Sequence, residues 1–442
     1  MLVLGLGTGM TALAGVRKVD DRVQERPPTA VASDVSSRST IPADAVWVAP
    51  GGNDHDPGTR ARPRATARAG AFNVVLGGSY PGYSQVLPNG SVTTLLVPDG
   101  QTAVLDGHGT VARAITAGGR LDLRGDLHIT NYAPTSTENG SNAPLYYGGT
   151  AGGSEIDGVT ISSSRMAGLG FEVPLVITRL VVDTCGYSGI MGTTADGTVF
   201  GDVGVYRVNR DGHAQDGQLA GIKVTRSADL VLGRSVHVED HGPNGAANGI
   251  WTDVSCRNPV IAGARVLTGA GKPAGIGLLV EETEGGIVAG TETEGTYATV
   301  LLASGHVRAW ANKATGTSVA MSIQQDRPRN SGTDDHGPNL SQRLAPWWAV
   351  GNEVCNNQLV ATGGERVALM VYANGPAVGE LTSRQMLAAL RGNTFGGSVQ
   401  LGGVDGQRTT HPVADLTAAL GSTVYRSAAQ PVPAGIAALL GT

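Results

Sequence analysis

Three segments with a common pattern decide the fold: Gly221-Ile-Lys-Val-Thr-Arg-Ser227, Gly249-Ile-Trp-Thr-Asp-Val-Ser255 and Gly277-Leu-Leu-Val-Glu-Glu-Thr283. Two weaker copies follow, Thr299-Val-Leu-Leu-Ala-Ser-Gly305 and Ala320-Met-Ser-Ile-Gln-Gln-Asp326. The starts of the five copies lie 28, 28, 22 and 21 residues apart. Within each copy the apolar residues alternate with a period of two, which is typical of a short, half-buried strand.

A second type of strand is predicted between these copies. It comprises residues 230–236, 260–266, 287–293 and 307–313. A unit of 20 to 30 residues with two or three strands cannot bury its own apolar face, so it must stack on its neighbours. The sequence therefore predicts an all-β fold, a single parallel β-helix over residues 45–400, followed by a C-terminal cap or tail over residues 401–442.

The alternation also predicts which side chains face inward. The predicted interior holds Ile222, Val224, Ile250, Thr252, Leu278, Val280, Val300, Leu302, Met321 and Ile323. Stacked strands lie about 4.8 Å apart, so outward residues of equal phase form columns on the surface. One predicted column is Lys223, Trp251, Leu279, Leu301 and Ser322, and the next is Thr225, Asp253, Glu281, Ala303 and Gln324.

Two short helices are predicted to cap the open C-terminal end. Thr382 and Gln385 form a capping box, the apolar run 386–390 follows, and Gly392 is placed to end the helix. Residues 415–421 repeat this pattern more briefly. Covering the end of the stack protects unpaired strand edges.

Composition and charge exclude several classes of function. Of the 442 residues, 66 are glycine, about twice the usual share of about 7%, and only 4% are aromatic, which favours thin layers over one wide core. The net charge of −5 provides no basic field for a nucleic acid. The three cysteines are far apart, which indicates neither a zinc site nor a disulfide framework. With no trimerising coiled coil visible, we expect a monomer.

The N-terminal region predicts export. Residues 1–16 are apolar but too short and too rich in glycine to cross a bilayer, and they fit a truncated signal segment. Residues 17–44 are rich in Ser, Thr, Pro and charge, the composition of a disordered linker. We therefore expect a secreted or cell-surface protein without a membrane span.

The opening of the helix and its middle rungs resemble a known family. Val46-Trp-Val-Ala-Pro-Gly-Gly-Asn-Asp-His-Asp-Pro-Gly-Thr59 and Val74-Val-Leu-Gly-Gly-Ser-Tyr80 resemble the first rung of secreted right-handed parallel β-helix proteins of the pectate lyase-like superfamily. Residues 221–325 resemble the β-helix (PbH1) repeats of actinobacterial members. The resemblance implies a right-handed helix and a carbohydrate-active protein that acts on a polysaccharide.

One family feature is expected to be missing. Family rungs usually carry an asparagine that forms an internal amide ladder. The corresponding positions here are assigned to Arg234, Ala264, Thr291 and Ala311, so we expect the ladder to be lost.

The two outward columns bring together the candidate catalytic residues. Lys223, Asp253 and Glu281 are the predicted catalytic groups, with Trp251 as a platform for a sugar ring. Nearby turns add further candidates for substrate binding, which are His237, Asp240, His241 and Glu282. Asp211 and Asp216, with the column carboxylates, are candidate oxygen ligands for calcium.

Three activities fit these residues. A lyase acting on an acidic sugar needs a base such as Lys223 and a cation that neutralises the uronate. A hydrolase needs two carboxyl groups about 5 to 10 Å apart, which Asp253 and Glu281 on neighbouring rungs supply. The alternative is a non-catalytic module that binds glycan at the surface. A phage-type tailspike is a further possibility, but the sequence shows no trimerising coiled coil.

Overall fold

The structure, a computed structural model, describes residues 40–135, 142–213, 219–241, 247–269, 275–325, 347–364, 366–373, 381–402 and 408–441. The predicted signal segment and nearly all of the predicted linker lie outside these residues. Within them the strands pair almost entirely in parallel, each with the strand one rung away, and build a single stack with three faces. The fold is a right-handed parallel β-helix.

We name the three faces A, B and C in the order in which the chain crosses them in each rung. Face A contains the five repeated segments. Its strands are Gln85–Leu87, Ile115–Ala117, Leu145–Tyr147, Leu169–Phe171, Ile190–Thr193, Ala220–Thr225, Asn248–Asp253, Ile276–Glu281, Val367–Ala373 and Ser398–Gly402, with Arg408–His411 added antiparallel at the end. The second halves of Glu292–Leu302 and Lys313–Gln325 also belong to face A.

Faces B and C complete each rung. Face B contains Val46–Val48, Phe72–Val75, Val92–Leu96, Val231–Leu232, Val260–Ala262, Ile287–Ala289, Arg308–Trp310, Asn352–Cys355, Leu387–Arg391 and Tyr425–Arg426. Face C contains Gly78–Pro81, Ala103–Asp106, Val236–Glu239, Arg265–Leu267, Gln358–Ala361 and Thr394–Gly396. Four long strands run from face B into face C: Arg120–Thr130, Ser154–Ser162, Leu175–Asp183 and Val199–Tyr206. Cys256–Arg257 and Thr283–Glu284 pair separately where face A turns into face B.

Inward side chains of face A stack from rung to rung. Ile222 pairs with Ile250, and Ile250 with Leu278, and each is at most 1% exposed. Burying a side chain of this size stabilises a fold by about 1.5–3 kcal/mol. The glycine before each strand allows a close approach, because a Cβ at Gly249 would lie 2.2 Å from Cγ1 of Val266. The Gly-Ile pattern of the sequence therefore marks a corner of the helix.

The predicted phase is wrong by one residue in the fourth copy. Leu278 pairs with Thr299, and Val280 with Leu301, so Val300 and Leu302 point outward. The hydroxyl of Thr299 lies 2.9 Å from that of Thr293, which pairs two polar groups in the interior. The outward columns therefore continue through Val300 and Leu302 to Ser322 and Gln324, and not through Leu301 and Ala303.

The amide ladder, expected to be lost, is present in the later rungs. Asn312 donates from Nδ2 to Oδ1 of Asn357 at 2.9 Å, and Asn357 donates in the same way to Asn393 at 2.9 Å. Thr291 begins the ladder by donating its hydroxyl to Asn312 at 2.8 Å. The assignment to Ala311 was wrong by one position, because Thr291 aligns with Asn312.

In the C-terminal cap the predicted capping box is confirmed, but the predicted length of the first helix is wrong. The capping box of Thr382 and Gln385 is present, and it begins a helix, α1, at Ser383–Met386. The apolar residues that follow form the face B strand Leu387–Arg391 and do not continue the helix. A second helix, α2, covers Leu416–Leu420 after the 3₁₀ turn Val413–Asp415 and ends at Gly421, as predicted.

A third helix, α3, spans Ala434–Leu440 and was not predicted. It lies against the outside of face B, where Ile436 packs in a cluster with Trp310 and Cys355. Arg234 donates to the carbonyl of Leu439 at 2.8 and 2.6 Å, which ties the end of α3 to an earlier rung. In the described part of the chain, every helix is too short to cross a membrane.

Candidate functional site

Three consecutive strands of face A position the predicted catalytic residues. Lys223 pairs with Trp251, and Thr225 with Asp253, in parallel register. Trp251 in turn pairs with Leu279 on the next strand, whose last residue is Glu281. Because Ile250 and Thr252 face inward, their neighbours Trp251 and Asp253 face outward. The period-two pattern therefore places these side chains on one side of three rungs.

Four of these side chains form one connected network, which we call the Lys223 cluster: Lys223, Trp251, Asp253 and Glu281. Nζ of Lys223 lies 2.7 Å from Oδ2 of Asp253 and 3.5 Å from the centre of the Trp251 ring. The indole Nε1 of Trp251 donates to Oε2 of Glu281 at 3.1 Å. The structure thus combines a cation–π contact, an ion pair and a hydrogen bond from an indole to a carboxyl group.

The Lys223 cluster is buried, whereas the sequence predicted an exposed patch. Lys223 is 2% exposed, and the other three side chains belong to residues that are each 7% exposed. Outside the main core, Trp251, Leu279 and Val300 form a second apolar cluster on face A. The alternation of apolar and polar residues defines an outward face, but it does not reveal that this face is itself covered.

Burial gives the Lys223–Asp253 pair a large and testable effect on stability. Removing one partner of a buried pair leaves an uncompensated charge and typically costs 3–5 kcal/mol. We therefore expect Lys223→Met to lower the free energy of unfolding by about 3–5 kcal/mol. The double variant Lys223→Met/Asp253→Leu is expected to recover part of this loss, because the Asp253 carboxylate is no longer buried without its cation.

Thermal and urea unfolding of both variants measure this difference. The double variant is the matched control for the loss of the lysine side chain. If the single and double variants were equally destabilised, the ion pair would not be the cause.

The other predicted substrate-binding residues lie apart from the Lys223 cluster. Glu282 follows Glu281 at the corner between faces A and B, where its φ is 44° and it is 3% exposed. His237 lies on face C, with Nε2 3.3 Å from Oε2 of Glu239. Asp240 is at the next corner, where Oδ2 lies 3.9 Å from Nη1 of Arg210. The structure therefore does not gather these three side chains into one site.

His241 is completely buried behind the same corner. Its Nδ1 lies 2.9 Å from the carbonyl oxygen of Ala247, and its Nε2 has no hydrogen-bond partner among the described residues. Burial lowers the pKa of His241 from 6.5 to about 4. The neutral ring therefore donates from Nδ1 to Ala247, and a sugar cannot reach it in this structure.

This depressed pKa predicts a loss of stability in acid. Below about pH 6.5 the unfolded chain binds a proton at His241, while the folded chain does not until about pH 4. The free energy of unfolding should therefore fall by up to about 3 kcal/mol between these pH values, with no effect at higher pH. We expect His241→Asn to flatten this part of the stability profile.

Melting curves recorded from pH 7 to pH 4 test this expectation. His55→Asn is the control, because His55 is exposed near the N-terminal end of the helix. An equal pH dependence in His241→Asn and wild type would contradict it.

The predicted calcium ligands are only partly described. Asp211 is exposed at a corner between faces C and A, and Asp216 lies outside the described residues. At the Lys223 cluster the carboxylates of Asp253 and Glu281 already have protein partners. In the described ranges no three His, Cys, Asp or Glu side chains are grouped to hold a metal ion. Calcium binding therefore stays a prediction.

The same outward columns continue in a polar group that the sequence did not predict. Gln324 donates to Ser322 at 2.7 Å, and Tyr372 donates its hydroxyl to Oε1 of Gln324 at 3.2 Å. The guanidinium of Arg408 lies 5.3 Å from the centre of the Tyr372 ring. Tyr372 pairs with Gln324 on the neighbouring rung, so extending the columns by one rung would have found it.

Comparison with known proteins gives similarity in structure but not in sequence. No protein-family model and no curated protein matches the sequence. The solved structure of XylC with xylose matches with a TM-score of 0.53 at 12% identity, over 72% of this chain and 76% of that one. The A-module of the Azotobacter vinelandii mannuronan C-5 epimerase AlgE6 matches with a TM-score of 0.42 at 12% identity, over 82% and 91%. The periplasmic alginate epimerase AlgG matches with a TM-score of 0.39 at 13% identity, over 69% and 64%.

At identities this low the similarity concerns the fold alone. The match to XylC extends over about three quarters of both chains, which is most of the stack of rungs described above. The chain therefore shares the parallel β-helix architecture of XylC.

Proposed function

We propose that this chain is an exported, carbohydrate-active β-helix protein that hydrolyses an extracellular polysaccharide at the Lys223 cluster. The observation that carries the proposal is the direct contact of Lys223, Trp251, Asp253 and Glu281 across three rungs. An acid, a base and an aromatic ring in contact are the groups that sugar chemistry uses.

Stability alone is a weak reason for these charged residues. The neighbours of Lys223 and Trp251 in the same column, Met191 and Leu279, are apolar. Replacing a buried ion pair by apolar residues often leaves the stability of a protein unchanged or raises it by about 1–4 kcal/mol. A charged pair at the centre of a buried, largely apolar surface therefore supports a role in chemistry.

Hydrolysis is the reaction that the two carboxylates support best. Asp253 and Glu281 end adjacent strands, one residue beyond the register pair Thr252 and Val280. Adjacent strands lie about 4.8 Å apart, so the two carboxyl groups can reach the roughly 5–10 Å separation that glycosidases use. The Lys223 ammonium lies against Asp253, and the indole of Trp251 donates to Glu281. We assign Asp253 as the nucleophile and Glu281 as the proton donor.

Lys223 acts as a positioning residue in this scheme. Its ammonium group lies between Asp253 and the face of Trp251, so it holds the carboxylate and the indole together. The same contacts oppose the lyase mechanism in which Lys223 removes a proton from a sugar. They also occupy one face of the indole, so a sugar ring would contact the small part of Trp251 that is still exposed.

Glycan binding without turnover is the second candidate function. The low exposure of the cluster favours this second function. Lys223 is 2% exposed, so a glycan can contact it, as turnover would need, only if the site opens. In this case Trp251, Asp253 and Glu281 would recognise a sugar through their exposed edges.

A panel of neutral and acidic polysaccharides tests the proposed function. Each glycan is incubated with the full chain, and binding, new reducing ends and unsaturated products are measured. New reducing ends without ultraviolet absorbance support hydrolysis. Unsaturated products would show that the reaction is an elimination and not a hydrolysis. Binding without either product would favour the second candidate. Neither binding nor turnover across the panel would overturn the proposal.

A further inference from the structure

The contact between Lys223 and Asp253 joins an amine to a carboxyl group on adjacent rungs. Nζ of Lys223 lies 2.7 Å from Oδ2 of Asp253, and both side chains are buried. The two residues belong to the paired strands Ala220–Thr225 and Asn248–Asp253, which hold them in parallel register. Groups fixed in this way react as if they were highly concentrated, with effective molarities up to about 10⁵–10⁸ M. The contact is therefore also a place where a covalent bond can form.

The two oxygens of the Asp253 carboxyl group have different partners. Oδ1 accepts a hydrogen bond from the backbone amide of Val254 at 2.7 Å, while Oδ2 faces the amine of Lys223. An N–H group aimed at a carboxyl oxygen stabilises the negative charge that develops there when a nucleophile attacks the carbon. Oδ1 is thus arranged as the oxygen that would be retained, and Oδ2 as the oxygen that would leave.

Trp251 and Glu281 complete the surroundings of this contact. The centre of the indole ring lies 3.5 Å from Nζ of Lys223, and Nε1 donates to Oε2 of Glu281 at 3.1 Å. Apolar side chains of face A pack around the same indole. Glu281 aligns with Asp253 on the next rung, about 4.8 Å further along the stack. The amine and the carboxyl group therefore meet in an apolar environment with a second carboxyl group nearby.

We propose that Lys223 and Asp253 condense to form an amide bond within the folded chain. A proton first passes from Nζ to Oδ2, which turns the ion pair into an amine and a carboxylic acid. The nitrogen then attacks Cγ of Asp253, and the amide of Val254 stabilises the negative charge on Oδ1. The Glu281 carboxylate takes a proton from the nitrogen and passes it to Oδ2, which leaves as water. One C–N bond forms and one C–O bond breaks, with no oxidant or further reactant.

Burial gives a reason for the condensation at this pair. Two charges that are taken from water into the stack lose their hydration, whereas the amide that replaces them carries no charge. Lys313 and Glu292 provide the contrast, because Nζ also lies 2.7 Å from Oε1 but the side chains are 54% and 30% exposed. There the charged groups keep most of their hydration. The Lys223 pair is therefore distinguished by its surroundings and not by its distance.

The inference goes beyond the proposed hydrolysis, because the bond forms without a glycan. The two reactions share the Asp253 carboxylate, so a molecule that carries the amide has no nucleophile at this site. Condensation therefore converts the Lys223 cluster into a cross-link between two rungs. Turnover of a glycan would come only from the unlinked molecules.

The intact mass of the denatured full chain measures the bond directly. We expect the purified protein, incubated until its mass is constant, to be lighter by one water than the mass calculated from its sequence. Trypsin should then fail to cut after Lys223 and should release residues 211–226 joined to residues 235–257. It should cut after Lys313 as usual, which is the internal control for an amine that contacts a carboxylate in solvent.

Three variants separate the proposed reaction from mere contact. Lys223→Arg keeps a cation beside Asp253, but a guanidinium group stays protonated and does not attack a carboxyl group, so this variant should keep its full mass. Glu281→Gln keeps an acceptor for Trp251 but lacks the proton carrier, so the bond should form about 10²–10⁴-fold more slowly. The Ile250→Asp chain should also keep its full mass, because a disrupted interior does not hold the pair together.

A wild-type chain of full mass that trypsin cuts after Lys223 would overturn the proposal, whether or not the protein hydrolyses a glycan. The loss of a water at another place in the peptide map, or an equal loss in Lys223→Arg, would overturn it as well. Equal rates of bond formation in Glu281→Gln and wild type would contradict the proton transfer assigned to Glu281. Because the mass is measured without a glycan, failure of the proposed hydrolysis leaves this test unchanged.

Discussion

The Ile250→Asp protein is expected to accumulate unfolded or aggregated, with no cooperative melting transition. Ile250 is 1% exposed and stacks between Ile222 and Leu278 in the interior of face A. An aspartate at this position would be buried among apolar side chains without a partner, which costs roughly 5 kcal/mol or more. Typical stabilities of 5–15 kcal/mol leave little margin for such a loss.

Circular dichroism and thermal melting of the purified protein measure this effect. Val86→Asp is the matched control, because Val86 is 73% exposed on the face A strand Gln85–Leu87. The same change in chemistry should there leave the melting temperature within a few degrees. A wild-type melting curve for Ile250→Asp would show that the assigned interior of face A is wrong.

The parallel β-helix was predictable because its strands and corners follow simple local sequence patterns. Half-buried strands alternate with a period of two, and Gly221, Gly249 and Gly277 mark the corner where each face A strand begins. A Cβ at Gly221 would lie 2.5 Å from Cγ1 of Val238, which explains the glycine by space. Because the pattern repeats along the chain, three clear rungs are enough to predict the whole stack.

The error at the fourth copy has a physical cause. Elsewhere on face A the interior is mostly apolar, but here Thr299 faces inward and its hydroxyl lies 2.9 Å from that of Thr293. On the outside, Val300 lies in the apolar cluster around Trp251 and is 2% exposed. With a polar residue inside and an apolar residue outside, the alternation favours the wrong phase.

The sequence predicts which residues belong to the candidate site, but not that they are buried. Phase alone places Lys223, Trp251, Asp253 and Glu281 on one side of adjacent rungs. Their burial depends on what covers face A, which no period within the strands encodes.

The proposed chemistry makes its strongest prediction at Glu281. If Glu281 donates a proton to the leaving group, Glu281→Gln should lower turnover of a hydrolysed glycan by about 10²–10⁴-fold. The amide retains an oxygen that can accept from Nε1 of Trp251, so this hydrogen bond is kept in the variant. Asp253→Asn should lose as much activity, but it also weakens the contact with Lys223 and should melt lower.

The choice of substrate distinguishes a lost proton donor from a disturbed site. A substrate with a strongly acidic leaving group needs little protonation, so Glu281→Gln should cleave it at a rate much closer to wild type. Asp253→Asn should remain impaired on the same substrate, because the nucleophile is needed whatever the leaving group. Asp202→Asn is the control, since Asp202 is an exposed carboxylate in the strand Val199–Tyr206, away from face A. If Glu281→Gln hydrolysed the natural glycan at the wild-type rate, the chemistry would lie elsewhere, and the Lys223 cluster would be a structural feature of the stack.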